Sequence, residues 1–255
     1  MKLLLWKPYG ITSNYFTSYI KDIYSVDKIC YAGRLDPFAQ GIMLILTDND
    51  VKSMDNNLKH DKIYNFDMLL GISTSSHDIA GTINEDTNNP NYTHDELYTY
   101  LHDFIKTYTN QSYPLISSYV INHEKYGRHP LWWYYKNNIN ITIPNKSISI
   151  FDYTILSISK ISCKDFYNNA IERLQTVTNN KTLEELNINT FIENYKNKLK
   201  ITNPKDYKIK IQMQLKVSSG FYIRQFCSDF GKYINVPTIA VDITRTSILL
   251  NNVIN

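Results

Sequence analysis

Asp36 is the residue around which a reaction could be built. It stands in Tyr31-Ala-Gly33-Arg34-Leu35-Asp36-Pro37-Phe38-Ala39-Gln40-Gly41. An aspartate before a proline has helix N-cap and N1 chemistry, and Gly41 suits a helix stop. The spacing therefore predicts one tight helical turn between two strands, whose positive end favours an ionised Asp36. Such a carboxylate is a nucleophile or a base. Taken alone, an Asp-Pro pair reads as only a cap or a turn residue.

The elements that must position this loop follow from periodicity. Leu3 to Trp6 reads as a short strand. Ser13 reads as the N-cap of a helix burying Phe16, Ile20 and Ile23, and Ile42 to Leu46 as a buried strand. Tyr64, Phe66, Met68 and Leu70 alternate as a half-buried strand ending at Gly71. Thr93-His-Asp-Glu96 is a capping box opening a helix with Leu97, Leu101 and Phe104 on one face. Short strands follow from Tyr119 and from Ser147 to Ile161. Thr182-Leu-Glu-Glu185 is a second box, before a helix with Leu186, Ile192, Tyr195 and Leu199 on its apolar side. The clearest strand is 209–217, after which Tyr222 to Ile234 forms a helix with Ile223, Phe226 and Phe230 inward. Mixed elements without a βαβ rhythm predict an α+β protein around a mostly antiparallel sheet. On pattern alone, Tyr64 is an ordinary strand tyrosine and Arg224 a solvated helix arginine.

Composition narrows the class. The chain is 43% hydrophobic and 20% charged, with a net charge of +3, enough apolar material for a core and only a mild basic bias. Ile72 to Ile105 carries acidic residues with no Lys or Arg, whereas Lys196 to Arg224 is lysine-rich with Asp206 alone against it. The basic run reads either as a solvated face or as a surface that neutralises phosphates. Cys30, Cys163 and Cys227 are far apart, which argues against a disulfide framework or a structural zinc site. The apolar run at the amino terminus is too short for a signal peptide, and none approaches a membrane span. A soluble, intracellular protein is expected.

The ordered motifs carry more. Lys7-Pro8-Tyr9-Gly10-Ile11-Thr12-Ser13, followed by Gly33-Arg34-Leu35-Asp36-Pro37-Phe38-Ala39-Gln40-Gly41, resembles two successive motifs of the TruB family of pseudouridine synthases. Lys62-Ile63-Tyr64 resembles the next, as do Leu70-Gly71 to Thr74 with Asp78 and Gly81. Pro114, Ser117-Ser118, Tyr126-Gly127 and Pro130-Leu131-Trp132 resemble the run into that family's RNA-clasping thumb. Ser219-Gly220-Phe221-Tyr222-Ile223-Arg224, Asp229-Phe230-Gly231 and Thr244-Arg245-Thr246 resemble its last motifs.

The resemblance implies a pseudouridine synthase fold and isomerisation of a uridine in the transfer-RNA T-loop (position 55). The reaction breaks the N1–C1′ bond, rotates the base and rejoins it through C5, with no metal or cofactor. Asp36 is implied as the carboxylate acting on the sugar, by attack at C1′ or by removing the C2′ proton; the sequence leaves both open. Tyr64 packs on the extracted base, and Arg224 pairs with Asp36 and holds it ionised. Lys7, Tyr31, Arg34, Tyr222 and Arg245 are implied in binding RNA.

Tyr31 stands where many members carry a histidine that fills the gap left by the flipped base, and Thr244 where a second arginine is frequent. A single catalytic domain over 1–255 is expected, with a thumb-like segment around 114–145 and a helical insertion around 163–204. The insertion is read as a source of RNA contacts or as a surface elaboration. No PUA domain is expected, and neither is a guide RNA. The implied partner is the tRNA T-arm, bound by a cytoplasmic monomer. The rivals are a non-catalytic RNA-binding protein on the same scaffold and a synthase acting on T-loop-like hairpins in messenger RNA.

Overall fold

The computed structural model describes residues 1–87, 92–177 and 187–250. Its strands are β1 (Lys2–Lys7), β2 (Ile29–Ala32), β3 (Ala39–Thr47), β4 (Asp61–Leu70), β5 (Ile72–Thr74), β6 (Ile83–Asp86), β7 (Asn110–Ser112), β8 (Val120–His123), β9 (Gly127–Pro130), β10 (Asn145–Ser147), β11 (Ile150–Ser162), β12 (Tyr207–Val217) and β13 (Thr238–Leu249). Seven of them make one sheet in the order β1-β3-β13-β4-β12-β11, with β2 also on β3. Every pairing in it is antiparallel except β13 on β3, where Ile243, Thr244 and Arg245 lie beside Ala39, Gln40 and Gly41. This is the α+β, mostly antiparallel architecture that the sequence predicts.

Alternation decides which face of the sheet is core. Tyr64, Phe66, Met68 and Leu70 of β4 and Ile209, Ile211, Met213, Leu215 and Val217 of β12 are all buried, as period-two patterning requires. They pack against the helices His94–Thr107 and Ile223–Tyr233, through contacts such as Phe66 edge-on to Phe226 at 6.0 Å. The capping box at Thr93 is present, with Thr93 and Glu96 exchanging side-chain to backbone hydrogen bonds. A second apolar cluster joins the far side of the sheet to the helices Cys163–Gln175 and Ile188–Ile201, which interrupt the β11–β12 hairpin at its end. The box at Thr182–Glu185, with Leu186, lies outside the described residues. None of the described helices is long and apolar enough to cross a membrane.

Four local expectations are corrected. The first helix, Ser13–Tyr24, is capped by Thr12, whose side chain accepts from the Tyr15 backbone amide. Ser13 is instead buried, and Ile23 is 55% exposed while Phe16 and Ile20 are inward. Residues 36–39 form a single turn closed by the Ala39 amide donating to the Asp36 carbonyl (3.1 Å), not a helical turn. Pairing with β13 draws Ala39 to Gly41 straight into the sheet, so the turn supplies no helix dipole of its own to Asp36. Gly41 is therefore a strand residue, not a helix stop.

Gly41 has φ +122°, and a Cβ there would lie 2.2 Å from the Arg245 carbonyl oxygen. Gly127, at φ +77°, has open space around it. Gly41→Ala should cost at least about 2 kcal/mol, because strain adds to a backbone collision, against roughly 1 kcal/mol for Gly127→Ala. Denaturant midpoints of both variants check the ranking; equal effects would mean that β3 and β13 do not pack this closely.

Candidate active site

Arg224 is the second residue of the helix Ile223–Tyr233 and is 3% exposed. Its Nε donates to Asp36 Oδ2 at 2.7 Å and lies 3.4 Å from Asp78 Oδ2. Its Nη1 donates to the Ser76 carbonyl and its Nη2 to the Ile116 carbonyl at 3.2 Å. One guanidinium thus joins the catalytic-turn candidate, the loop after β5 and the loop after β7. Burial opposes its charge, but Asp36 and Asp78 outweigh that and hold it protonated. The Asp78 carboxyl is pushed above the usual carboxylate range by burial, and the Asp36 charge pushes the same way. Arg224 and hydrogen bonds from Ser76 Oγ and the Ala80 amide pull it back.

Asp36 differs from Asp78 in access. Its side chain is 33% exposed against 10%, and its Oδ1 has no protein partner among the described residues. One carboxylate oxygen is fixed and the other is unengaged on a part-exposed side chain, which is what a nucleophile or base requires. Tyr64, on β4 opposite Arg245 and Leu215, is 6% exposed and belongs to the same apolar cluster as Leu35 and Ile223. Tyr222 precedes the helix with its backbone held from both directions by buried Gln111: Gln111 Nε2 donates to its carbonyl and Gln111 Oε1 accepts from its amide. Burial, with Asp36 nearby, pushes the Tyr222 phenol up to about 12.

The other expected binding residues divide. Tyr31 and Arg34 flank the turn on the outside. The Tyr31 hydroxyl donates to Asn14 Oδ1 (2.8 Å), and exposed Arg34 lies 5.5 Å from the Tyr31 ring centre. Lys7 and Arg245 do not reach the surface, at 0% and 1% exposed. Lys7 Nζ donates to the Ala39 (2.7 Å), Pro8 (3.0 Å) and Pro37 (3.5 Å) carbonyls. Arg245 donates to those of Ile42 (2.6 Å) and Gly33 (3.0 Å). Both shape the loop in place of touching a ligand, because its irregular backbone leaves carbonyls that need donors. Of the lysines of 196–216, Lys200, Lys205 and Lys216 have no acidic partner among the described residues, and the other four are ion-paired. Lys208 and Lys198 pair with Asp86, Lys210 with Asp67 and Lys196 with Glu193.

Further positioning residues lie outside the expected site. Ser13 Oγ donates to the Leu35 carbonyl and accepts from its amide, at 2.7 and 3.1 Å. Lys146 lies over the rings of Tyr222 (4.8 Å) and Tyr113 (5.1 Å) and has no acidic partner among the described residues. Burial lowers its amine to about 8. Tyr113 also stacks on Tyr119 at 3.6 Å. A half-buried cation on an aromatic floor of Tyr113 and Tyr222 has the chemistry to take a phosphate and a base.

Comparisons with known proteins follow the same residues. The model of the TruB family pseudouridylate synthase N-terminal domain matches residues 21–173. The tRNA pseudouridine synthase B of Malacoplasma penetrans (strain HF-2) is 25% identical over 247 residues, covering 95% of this chain and 82% of the relative. That of Blochmanniella pennsylvanica (strain BPEN) is 26% identical over 246 residues, covering 96% and 74%. Among solved structures, an H/ACA RNP bound to a substrate RNA containing 2′-deoxyuridine aligns with TM-score 0.52 and 14% identity, and a Cbf5-Nop10-Gar1 complex with 0.53 and 13%. Each covers 97% of this chain, which spans about half of either neighbour (47% and 48%). At that identity the likeness shows the fold.

Arg224→Met should destabilise the protein by about 3–5 kcal/mol by leaving Asp78 buried and unpaired. Because the folded Asp78 pKa is raised, the native state binds the extra proton, and stability falls as pH rises from the unfolded value toward the folded one. The deficit against wild type should therefore be smaller at pH 5 than at pH 7.5, read from denaturant midpoints. A deficit independent of pH would show that Asp78 does not carry it.

Proposed function

Because the chain belongs to the TruB family of pseudouridylate synthases, we propose that it converts uridine to pseudouridine in the T-loop of transfer RNA. The observation that carries the proposal is Asp36 with Oδ2 fixed by Arg224 and Oδ1 free, inside the segment that the family model matches. The names of the relatives that span nearly the whole chain support tRNA as the substrate.

The target base is stacked in its loop and must be flipped out to meet a carboxylate at the floor of a site. Asp36 Oδ1 then acts on the sugar, at C1′ or on the C2′ proton, and the N1–C1′ bond breaks. The base turns and C5 bonds to C1′, which releases Asp36 from C1′ or is followed by return of the proton to C2′; a base then takes the C5 proton and N1 gains one, so the product is an isomer of the substrate. Tyr64 packs against the detached uracil, with its hydroxyl free of hydrogen bonds to the described residues. Tyr31, outside the turn, fills the gap in the RNA stack, and Arg34 beside it binds the RNA. Residues 114–145, which include the β8–β9 hairpin and the aromatic helix Leu131–Lys136, form the clasp on the T-arm. The enzyme acts as a cytoplasmic monomer with one catalytic domain, without a guide RNA.

Incubation with an unmodified tRNA transcript, followed by pseudouridine mapping, tests the reading. Wild type should modify the T-loop uridine. Asp36→Asn should give no product while retaining RNA affinity, because it removes an interaction used only in the reaction. Turnover by the variant would remove Asp36 from its role.

Lys146, flanked by Tyr113, Tyr222, the Gly220 backbone and, farther off, Lys62, is assigned to an RNA phosphate. Lys146→Met should lower the slope of log Kd against log salt by about one, since one fewer counterion is released. Wild-type affinity should also weaken from pH 7 to pH 9 as an amine titrating at about 8 loses its charge. The variant should respond less. Identical salt and pH profiles would exclude the contact.

A further inference from the structure

We propose that the two-helix insertion between β11 and β12 is a positioning element for the reaction, and that Arg173 acts on Asp36 through Tyr9 and Phe38. The inference rests on the pseudouridylate synthase reading. The helices Cys163–Gln175 and Ile188–Ile201 bury Phe166, Tyr167, Leu174, Ile188, Ile192 and Tyr195 in one apolar cluster. That cluster also contains Phe38 and Ile79. Phe38 is two residues beyond Asp36, and Ile79 follows Asp78 directly. Both carboxylates on Arg224 are therefore anchored in the insertion's core, while Leu35 and Ile223 anchor the same site in the core of the main sheet.

A polar path runs alongside. Arg173 donates from Nη1 to the Val241 carbonyl (2.8 Å) and pairs through Nη2 with Asp242 on β13. Held by that fork, its guanidinium carbon lies 4.9 Å from the centre of the Tyr9 ring. Tyr9 meets Phe38 edge-on at 5.3 Å. The next residue, Gly10, donates its amide to the Pro37 carbonyl at 3.0 Å and has Thr176 against its α-carbon, where a Cβ would come within 3.0 Å of the Thr176 hydroxyl oxygen.

The insertion also grips the β5–β6 hairpin, whose loop supplies Ser76 and Asp78. Asn194 Oδ1 accepts from the Ile83 amide (3.1 Å), the Tyr167 hydroxyl donates to Asp86 (2.8 Å), and Lys198 pairs with Asp86 (3.3 Å). These contacts reach the catalytic turn from the face opposite the main core. A surface elaboration would not place its own core residues beside both carboxylates.

The test uses the full chain and compares Tyr9→Leu, Tyr9→Phe, Arg173→Met and the Tyr9→Leu/Arg173→Met pair. Single-turnover rate at saturating tRNA transcript, Kd for the transcript and thermal midpoint are measured for each. A shift of the turn by a fraction of an ångström lowers the chemical step without changing affinity, so Tyr9→Leu and Arg173→Met should each lose roughly tenfold or more in rate. Their Kd should stay within about twofold of wild type, as expected when only the chemical step is lost. Tyr9→Phe keeps the ring and should keep the rate. The pair should be little worse than the poorer single variant, because both break one path.

Wild-type product formation tests the underlying reading on its own. Given an active wild type, full rates in folded Tyr9→Leu and Arg173→Met would overturn the proposal. So would losses confined to Kd, which would make the insertion an RNA contact. Losses shared by Tyr9→Phe, or tracking the thermal midpoint, would make it a fold stabiliser only.

Discussion

Everything in the site is arranged around one buried guanidinium. Arg224 spends all three of its nitrogens on protein: Nε on Asp36 beside Asp78, Nη1 on the Ser76 carbonyl and Nη2 on the Ile116 carbonyl. A charge this deep is expensive to desolvate, and a buried ion pair is weak evidence for stability. What it supplies is location. Three segments far apart in sequence, around residues 36, 76–78 and 116, must each present an acceptor to the same planar fork. The planar fork fixes those directions relative to one another, which an ammonium with freely rotating donors does not. The two carboxylates divide their work by depth: Asp78 balances charge inside, and Asp36 keeps one oxygen outside.

That fork is itself held by packing on two sides. Leu35 and Ile223 enter the cluster built on β4 and β12, and Phe38 and Ile79 enter the cluster built on the inserted helices. Asp36 lies between the two anchors, with Pro37 limiting the backbone between it and Phe38. Close-packed interiors transmit small displacements, so the carboxylate inherits rigidity from both cores. The reciprocal Gln111 amide on Tyr222 does the same for the start of the Arg224 helix.

Much of this was legible in the sequence where periodicity and spacing are strong. Alternation over 209–217 marked β12, Tyr64 to Leu70 marked β4, and Thr93 with Glu96 marked the boxed helix. The pairing of Arg224 with Asp36 came from motif order, since nothing local distinguishes Arg224 from a solvated helix residue. β13 went unread although it is central, because register shifts at Ala240/Asp242 and Arg245/Ser247 break the period of two. The helical turn expected at Asp36-Pro37 failed for a nonlocal reason: β13 captures Ala39 to Gly41 in parallel pairing. Ser13 was read as a cap because its neighbour Thr12 has equivalent chemistry, and only the tertiary partner at Leu35 separates them. Lys146 and Gln111 lie in segments without pattern, so only the fold brings them to the site.

The misread cations have a common physical cause. A sequence shows a lysine or arginine near a motif but not whether an acceptor inside the protein needs it. The stretch from Gly33 to Ile42 is where that need is greatest, because it leaves one strand, turns at Asp36 and enters another. Its carbonyls at Gly33 and Ile42 are taken by Arg245, that of Leu35 by Ser13, that of Pro37 by Gly10 and Lys7, and that of Ala39 by Lys7. An irregular loop buried to this degree is tolerable only if every such group is met. Long cationic side chains meet several at once from a distance. The residues around Lys7, Ser13 and Arg245 therefore belong with Asp36 in the sequence because they satisfy its loop.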